Sequence, residues 1–146
     1  MSNLKRDIIK CLPYGEAFRF VDSIDYIDEN IIKGSYFFRK DDFFTEHHFV
    51  DEPLVPGVIL LECMGQIGLV AHGIYLLNLT NKKFFPALSH VEVDFYSAVK
   101  PNSKIQVVSS KIYLKSNILK SEIKLLNYEN NVLIAYSEAI CKFVGR

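Results

Sequence analysis

The apolar positions of this chain group into short β-rich runs, one long continuous run, and β-rich runs again. Residues 18–27 (FRFVDSIDYI) and 31–38 (IIKGSYFF) are aromatic and β-branched, with Asp28-Glu29-Asn30 between them. That composition around a polar break predicts two strands joined by a turn. Ahead of them, residues 7–12 have room for one or two helical turns before Pro13 stops them. Residues 39–56 predict a loop, charged at first and then aromatic and proline-bearing, and Pro56 stands near the first position of a helix, where proline is tolerated. The run 57–77 (GVILLECMGQIGLVAHGIYLL) then predicts one helix, apolar on most of its circumference, ending in the polar stretch 78–83. Residues 84–99, 104–114, 118–128 and 132–144 predict four more strands, with Pro101-Asn102, Ser116-Asn117 and Glu129-Asn130-Asn131 as turns.

A strand pair, one long helix and four antiparallel strands make an α+β pattern. A lone helix apolar nearly all round needs a sheet curved around it, which is the hotdog geometry: a central helix wrapped by a curved antiparallel sheet of about six strands. Its length suits a single domain over residues 1–146, and such a chain buries roughly 70% of its extended surface. With 49% apolar residues the chain is not disordered, and 17 Lys+Arg against 17 Asp+Glu leave no basic footprint for nucleic acid. The helical run is long enough to cross a bilayer. Glu62 within it argues against lipid, because a mid-membrane acid costs about 2.5–3.5 kcal/mol. A helix buried in a soluble fold is the expectation. The odd, scattered Cys11, Cys63 and Cys141 suit a reducing compartment, and the N-terminal stretch lacks a signal-peptide pattern. The expected location is the cytoplasm.

The stretch 48–66 (HFVDEPLVPGVILLECMGQ) concentrates the chemistry. His48 lies in a proline-bearing loop. Pro56-Gly57 opens the helix, where free N–H groups and the positive end of the dipole point outward. Glu62 follows about one and a half turns later, with Gln66 four residues on and on the same face. Apolar surroundings raise a carboxyl's pKa, so an acid and an imidazole in one greasy cleft form an acid/base pair. The Gly57 N–H could polarise a carbonyl oxygen. Those parts suit proton abstraction beside a carbonyl, with an acid to assist a leaving hydroxyl.

The pattern His-Phe-x-x-x-Pro-x-x-Pro-Gly-x-x-x-x-Glu-x-x-x-Gln resembles the active-site signature of β-hydroxyacyl-acyl-carrier-protein dehydratases of fatty-acid synthesis, including the spacing of 14 from His48 to Glu62. Leu12-Pro13 with Phe18 and Val21-Asp22, Phe43-Phe44, and residues 90–103 extend the likeness over nearly the whole chain. The resemblance implies a dimeric hotdog with active sites at the interface, able to assemble further as a trimer of dimers. The histidine of one copy would meet the acid of the other, in a tunnel for an acyl chain carried on acyl carrier protein. It assigns α-proton removal to His48, loss of the β-hydroxyl to Glu62, the thioester oxygen to Gly57, and orientation of the acid to Gln66. Phe49 and Pro56 join them in the substrate-binding motif. No cofactor, metal, membrane or nucleic acid is implied.

The chain departs from the family pattern at His47 and Val50, where Gly and Pro are usual, at Cys63 for Ala, and at Asn102 for a turn glycine. None removes a reacting group, although His47 and Val50 could reshape the tunnel mouth. His47, His72 and His90 are read as structural or surface residues, Cys63 as a packing thiol, and Phe37-Phe38 and Phe84-Phe85 as core. Lys82, Lys83, Lys100 and Lys104 could rim a site for an acidic carrier. Two alternatives share the fold: an acyl thioesterase, which has no need of the His-Phe loop, and a non-catalytic acyl-binding subunit of a heteromeric dehydratase, which would have lost the acid/base pair.

Overall fold

Alternating inward residues on three central strands determine where the helix lies. The computed structural model describes residues 2–145; the termini of the expected 1–146 domain, Met1 and Arg146, lie outside the described residues. The elements are α1 (Ser2–Cys11), β1 (Ser23–Ile27), β2 (Ile31–Phe38), α2 (Gly57–Leu76), β3 (Phe84–Phe95), β4 (Ser103–Lys115), β5 (Ile118–Asn127) and β6 (Leu133–Gly145). Six strands form one antiparallel sheet in the order β1-β2-β4-β5-β6-β3, so β3 crosses over to pair with β6. Buried Ile105, Val107 and Ser109 of β4, Leu119, Ser121, Ile123 and Leu125 of β5, and Ala135, Ser137, Ala139, Cys141 and Phe143 of β6 make the inner face. This is the period of two that a half-buried sheet requires.

The helix lies on that face at close range. A Cβ on Gly73 would fall 2.0 Å from Cζ of Phe143, and one on Gly34 of β2 would fall 2.8 Å from Cγ2 of Ile67. Only glycine permits those approaches. The expected continuous α-helix is interrupted: between α-helical Gly57–Gly65 and His72–Leu76, residues Gln66–Ala71 form a π-helical turn, all six of them buried. Wider turns of this kind recur at functional sites. Ser109 Oγ donates to the Gly68 carbonyl at 3.0 Å, and His72 Nε2 donates to the Asp28 carbonyl at 2.8 Å. These two bonds tie the middle of α2 to β4 and to the β1–β2 turn.

Three boundaries differ from the sequence reading by more than one residue. α1 is longer than residues 7–12 because Leu4, Ile8 and Leu12 form a packed row at a spacing of four. The first strand begins at Ser23 rather than Phe18: Glu16–Phe18 is a 3-10 turn, and the backbone of Phe18 and Phe20 bonds to the side chain of Gln66. β3 ends at Phe95 rather than residue 99, where the chain turns back so that the Val99 carbonyl accepts from Val55 N–H at 2.9 Å. The turns at Asn102, Ser116, Asn117 and Asn131 adopt positive φ, which asparagine accepts more readily than most residues.

Candidate active site

Loop 39–56 is fastened through its aromatic residues. The Phe44 ring packs edge-on against Phe20 and Phe38, with centroids at 5.7 and 6.1 Å, and Phe43 packs on Phe44 at 5.1 Å. Beyond this anchor, Leu54 N–H donates to the His48 carbonyl at 2.6 Å and Phe49 N–H to the Glu52 carbonyl at 2.9 Å, closing a tight loop around His48. The His48–Phe49 peptide is cis, and the two rings stack with centroids 4.1 Å apart. Nδ1 of His48 lies 3.3 Å from the Leu54 carbonyl. A carbonyl only accepts, so Nδ1 carries the hydrogen, and in the neutral ring Nε2 then keeps its lone pair.

Buried Pro56 precedes α2, and its carbonyl takes the N–H groups of Ile59 and Leu60, at 3.0 and 3.1 Å. The N–H groups of Gly57 and Val58 meet no acceptor among the described residues. They are the unpaired donors that any helix start presents. Further along, Glu62 Oε1 accepts from Gln66 Nε2 at 3.0 Å. The same Nε2 donates to the Phe18 carbonyl at 2.9 Å, and Gln66 Oε1 accepts from Phe20 N–H at 2.8 Å. Gln66 is fully buried with its amide in use at both ends. Cys63, one residue beyond the acid, turns away from it and donates to the Phe20 carbonyl at 3.3 Å, while burial raises its thiol pKa.

Glu62 lines a cavity of about 380 Å³ between α2 and the sheet. The helix supplies Val58, Leu61, Gly65, Leu69 and Val70; the sheet supplies Phe84, Phe85, Pro86, Leu88 and Val91 of β3, Ile123 of β5, and Ser137, Ala139 and Cys141 of β6. Phe84 is buried as the sequence reading expected, whereas Phe85, also read as core, is exposed at the sheet edge; both rings wall this space. Burial pushes the Cys141 thiol up to about 12, which makes it an inert wall residue at neutral pH. Sequence reasoning missed Tyr14, which lines the cavity beside Glu62 although 48 residues separate them. No spacing rule could join them; only the packing of the 3-10 turn onto Gln66 does.

Of the residues singled out in the sequence, Glu62 and Gln66 are in contact, and Pro56 and Gly57 stand together at the head of α2. His48 and Phe49 do not line the Glu62 cavity. Among the other histidines, His47 and His90 are exposed; His72 is buried and serves the fold.

The FabA-like domain model matches residues 12–135. The chain is 31% identical over 143 residues to the 3-hydroxyacyl-acyl-carrier-protein dehydratase FabZ of Chlamydia muridarum, covering 96% of this chain and 82% of that protein. It is 30% identical over 132 residues to the FabZ dehydratase of Buchnera aphidicola subsp. Schizaphis graminum, covering 87% and 84%. Among solved structures, the dehydratase heterocomplex ApeI:P from Xenorhabdus doucetiae superposes with a TM-score of 0.78 at 11% identity, over 92% of this chain and 89% of that one. The thioesterase HI1161 from Haemophilus influenzae gives 0.62 at 19%, over 84% and 78%. Both structural likenesses bear on the hotdog fold alone.

Proposed function

The chain belongs to the FabA-like family, and from that premise we propose that it removes water from 3-hydroxyacyl thioesters on acyl carrier protein, leaving trans-2-enoyl thioesters for fatty-acid or related polyene or polyketide synthesis. It would work in the cytoplasm as one domain. The observation that carries the reading is Glu62, held by Gln66 at a mostly apolar cavity of about 380 Å³. An acid so placed has a hydroxyl-bearing carbon as its natural partner. The relatives from Chlamydia muridarum and Buchnera aphidicola are named as 3-hydroxyacyl-acyl-carrier-protein dehydratases.

His48 Nε2, with its lone pair free, takes the proton from the α-carbon, and the C–H electron pair flows toward the carbonyl. The Gly57 N–H at the head of α2 steadies the thioester oxygen as negative charge gathers there. The carbanion's electrons then form the α–β double bond while the C–O bond breaks. Glu62 gives its proton to the departing hydroxyl, which leaves as water. The proton on His48 then returns to Glu62, and the enzyme is restored. Phe49 and Pro56 flank the pantetheine arm, and exposed Lys82, Lys83, Lys100 and Lys104 offer a basic rim to the carrier.

His48 is absent from the cavity that holds Glu62, which favours a homodimer in which each His48 serves the partner's acid. β3 gives this reading a surface: it is an edge strand with exposed Phe85, Leu88 and Phe95, the kind of edge that another chain covers. Dimers built this way could pair further into a trimer of dimers.

Purified protein incubated with 3-hydroxyacyl carrier thioesters of several chain lengths should yield enoyl product. Inert but folded dimers would overturn the reading, and release of free carrier thiol in place of enoyl product would turn it to a thioesterase.

A further inference from the structure

Four side chains of the cavity wall carry polar atoms: Tyr14, Glu62, Ser137 and Cys141. Three of them are engaged. Ser137 Oγ donates to the Glu92 carbonyl at 2.8 Å, the Cys141 thiol lies 3.9 Å from the Lys142 carbonyl, and Glu62 Oε1 accepts from Gln66. The Tyr14 hydroxyl has no hydrogen-bond partner among the described residues. The residue is half-buried, so its hydroxyl reaches solvent and is free to donate to a polar group that displaces water there.

Its position is fixed by the clamp that fixes the acid. Tyr14 immediately precedes the 3-10 turn, which Phe18 N–H closes onto the Gly15 carbonyl at 3.0 Å. The Phe18 carbonyl is held by Gln66 Nε2, the atom that also holds Glu62. The Tyr14 ring rests against Phe18 with centroids 6.4 Å apart. One buried amide therefore sets both Glu62 and the segment that carries the phenol.

We propose that Tyr14 is a substrate-binding residue, donating a hydrogen bond to the oxygen on the β-carbon of the acyl chain beside Glu62. This rests on the dehydratase reading and adds to it a second donor at the leaving group. Burial raises the phenol's pKa, and the negative charge left on Glu62 once it has given up its proton raises it further. Tyr14 thus keeps its proton throughout, while Glu62 alone supplies the proton that leaves as water.

The test compares two ligands on catalytically silent protein. In a His48→Ala background, with and without Tyr14→Phe, the affinities of a 3-hydroxyacyl pantetheine thioester and of the saturated acyl thioester of equal length are measured. Tyr14→Phe should weaken the hydroxylated ligand about threefold to tenfold, as loss of one neutral hydrogen bond does, and leave the saturated ligand unchanged. Equal weakening of both, as from a purely packing role, or no change in either, overturns the proposal. The ratio is read from ligand-competent protein, so partial misfolding does not blur it. Absence of enoyl formation by the wild-type protein would instead sink the dehydratase reading, and the affinity ratio would still decide whether Tyr14 meets the oxygen.

Discussion

Glu62 projects from a helix that is held from outside over residues 66–73: Gln66 bonds the 3-10 turn, Ser109 bonds Gly68, His72 bonds Asp28, and Gly73 sits directly under Phe143. His48 stands in loop 39–56, anchored by the edge contacts of Phe44 and by a few backbone bonds, with one 3.3 Å contact to its own ring. The acid belongs to the core of the fold, whereas the imidazole rides on a segment that the core merely seats. Stability and chemistry should therefore separate on the loop and stay joined on the helix. Residues that fix a helix in a close-packed interior have no slack, while a half-buried loop side chain can be lost without leaving a void.

The largest effect expected from this contrast is on the loop. His48→Ala should lower enoyl formation about 10²–10⁴-fold, the usual contribution of a general base. Its thermal midpoint should stay close to wild type, since surface changes cost roughly 0.5 kcal/mol or less. Parallel rate assays and melting curves check both halves. A variant that loses several degrees along with its activity would show that the loop is as structural as the helix.

On the helix the two effects should move together. Gln66→Leu keeps the volume but strands Phe20 N–H, the Phe18 carbonyl and Glu62 Oε1. Two orphaned backbone groups at 1–3 kcal/mol each suggest about 3 kcal/mol of lost stability, or near 10 °C for a chain of this size. Activity should fall as well, because the acid loses the one side-chain partner it has among the described residues. Calorimetry with the same rate assay reads this. Lost activity at an unchanged midpoint would break the claim that the helix couples the two.

The same contrast explains what the sequence could reveal. The helix and strands 31–38, 104–114 and 118–128 were legible because periodicity and β-rich composition are local. Glu62 with Gln66 was legible because a spacing of four places two residues on one face. The π-turn was not, because it arises where Ser109, His72 and the sheet floor hold the helix from several sides. Nor was Tyr14, which reaches the acid only through the tertiary fold. His48 belongs to a third kind: no periodicity applies to a loop, and only its motif singled it out. That His48 does not line the Glu62 cavity follows from where loop 39–56 seats on the fold, which no local pattern encodes.

The smallest effect tests the helix alone, without touching the site. His72 is fully buried, its Nε2–H spent on Asp28 and its Nδ1 without a partner among the described residues. Burial lowers its pKa below the usual histidine value of 6.5, outweighing the opposing bond to Asp28. Above that value both folded and unfolded chains hold a neutral imidazole, and His72 adds no pH dependence. As pH falls below it, the unfolded chain binds a proton that the folded chain resists. Stability then drops with pH by at most about 1.4 kcal/mol per unit. Melting curves taken from pH 7.5 to 5.5 should therefore slope for the wild type and flatten for His72→Gln, which keeps a donor for the Asp28 carbonyl but cannot titrate. An equal slope in both would mean that the helix is not what acid loosens. The charge change would then lie elsewhere, and the rigid half of the contrast would lose its support.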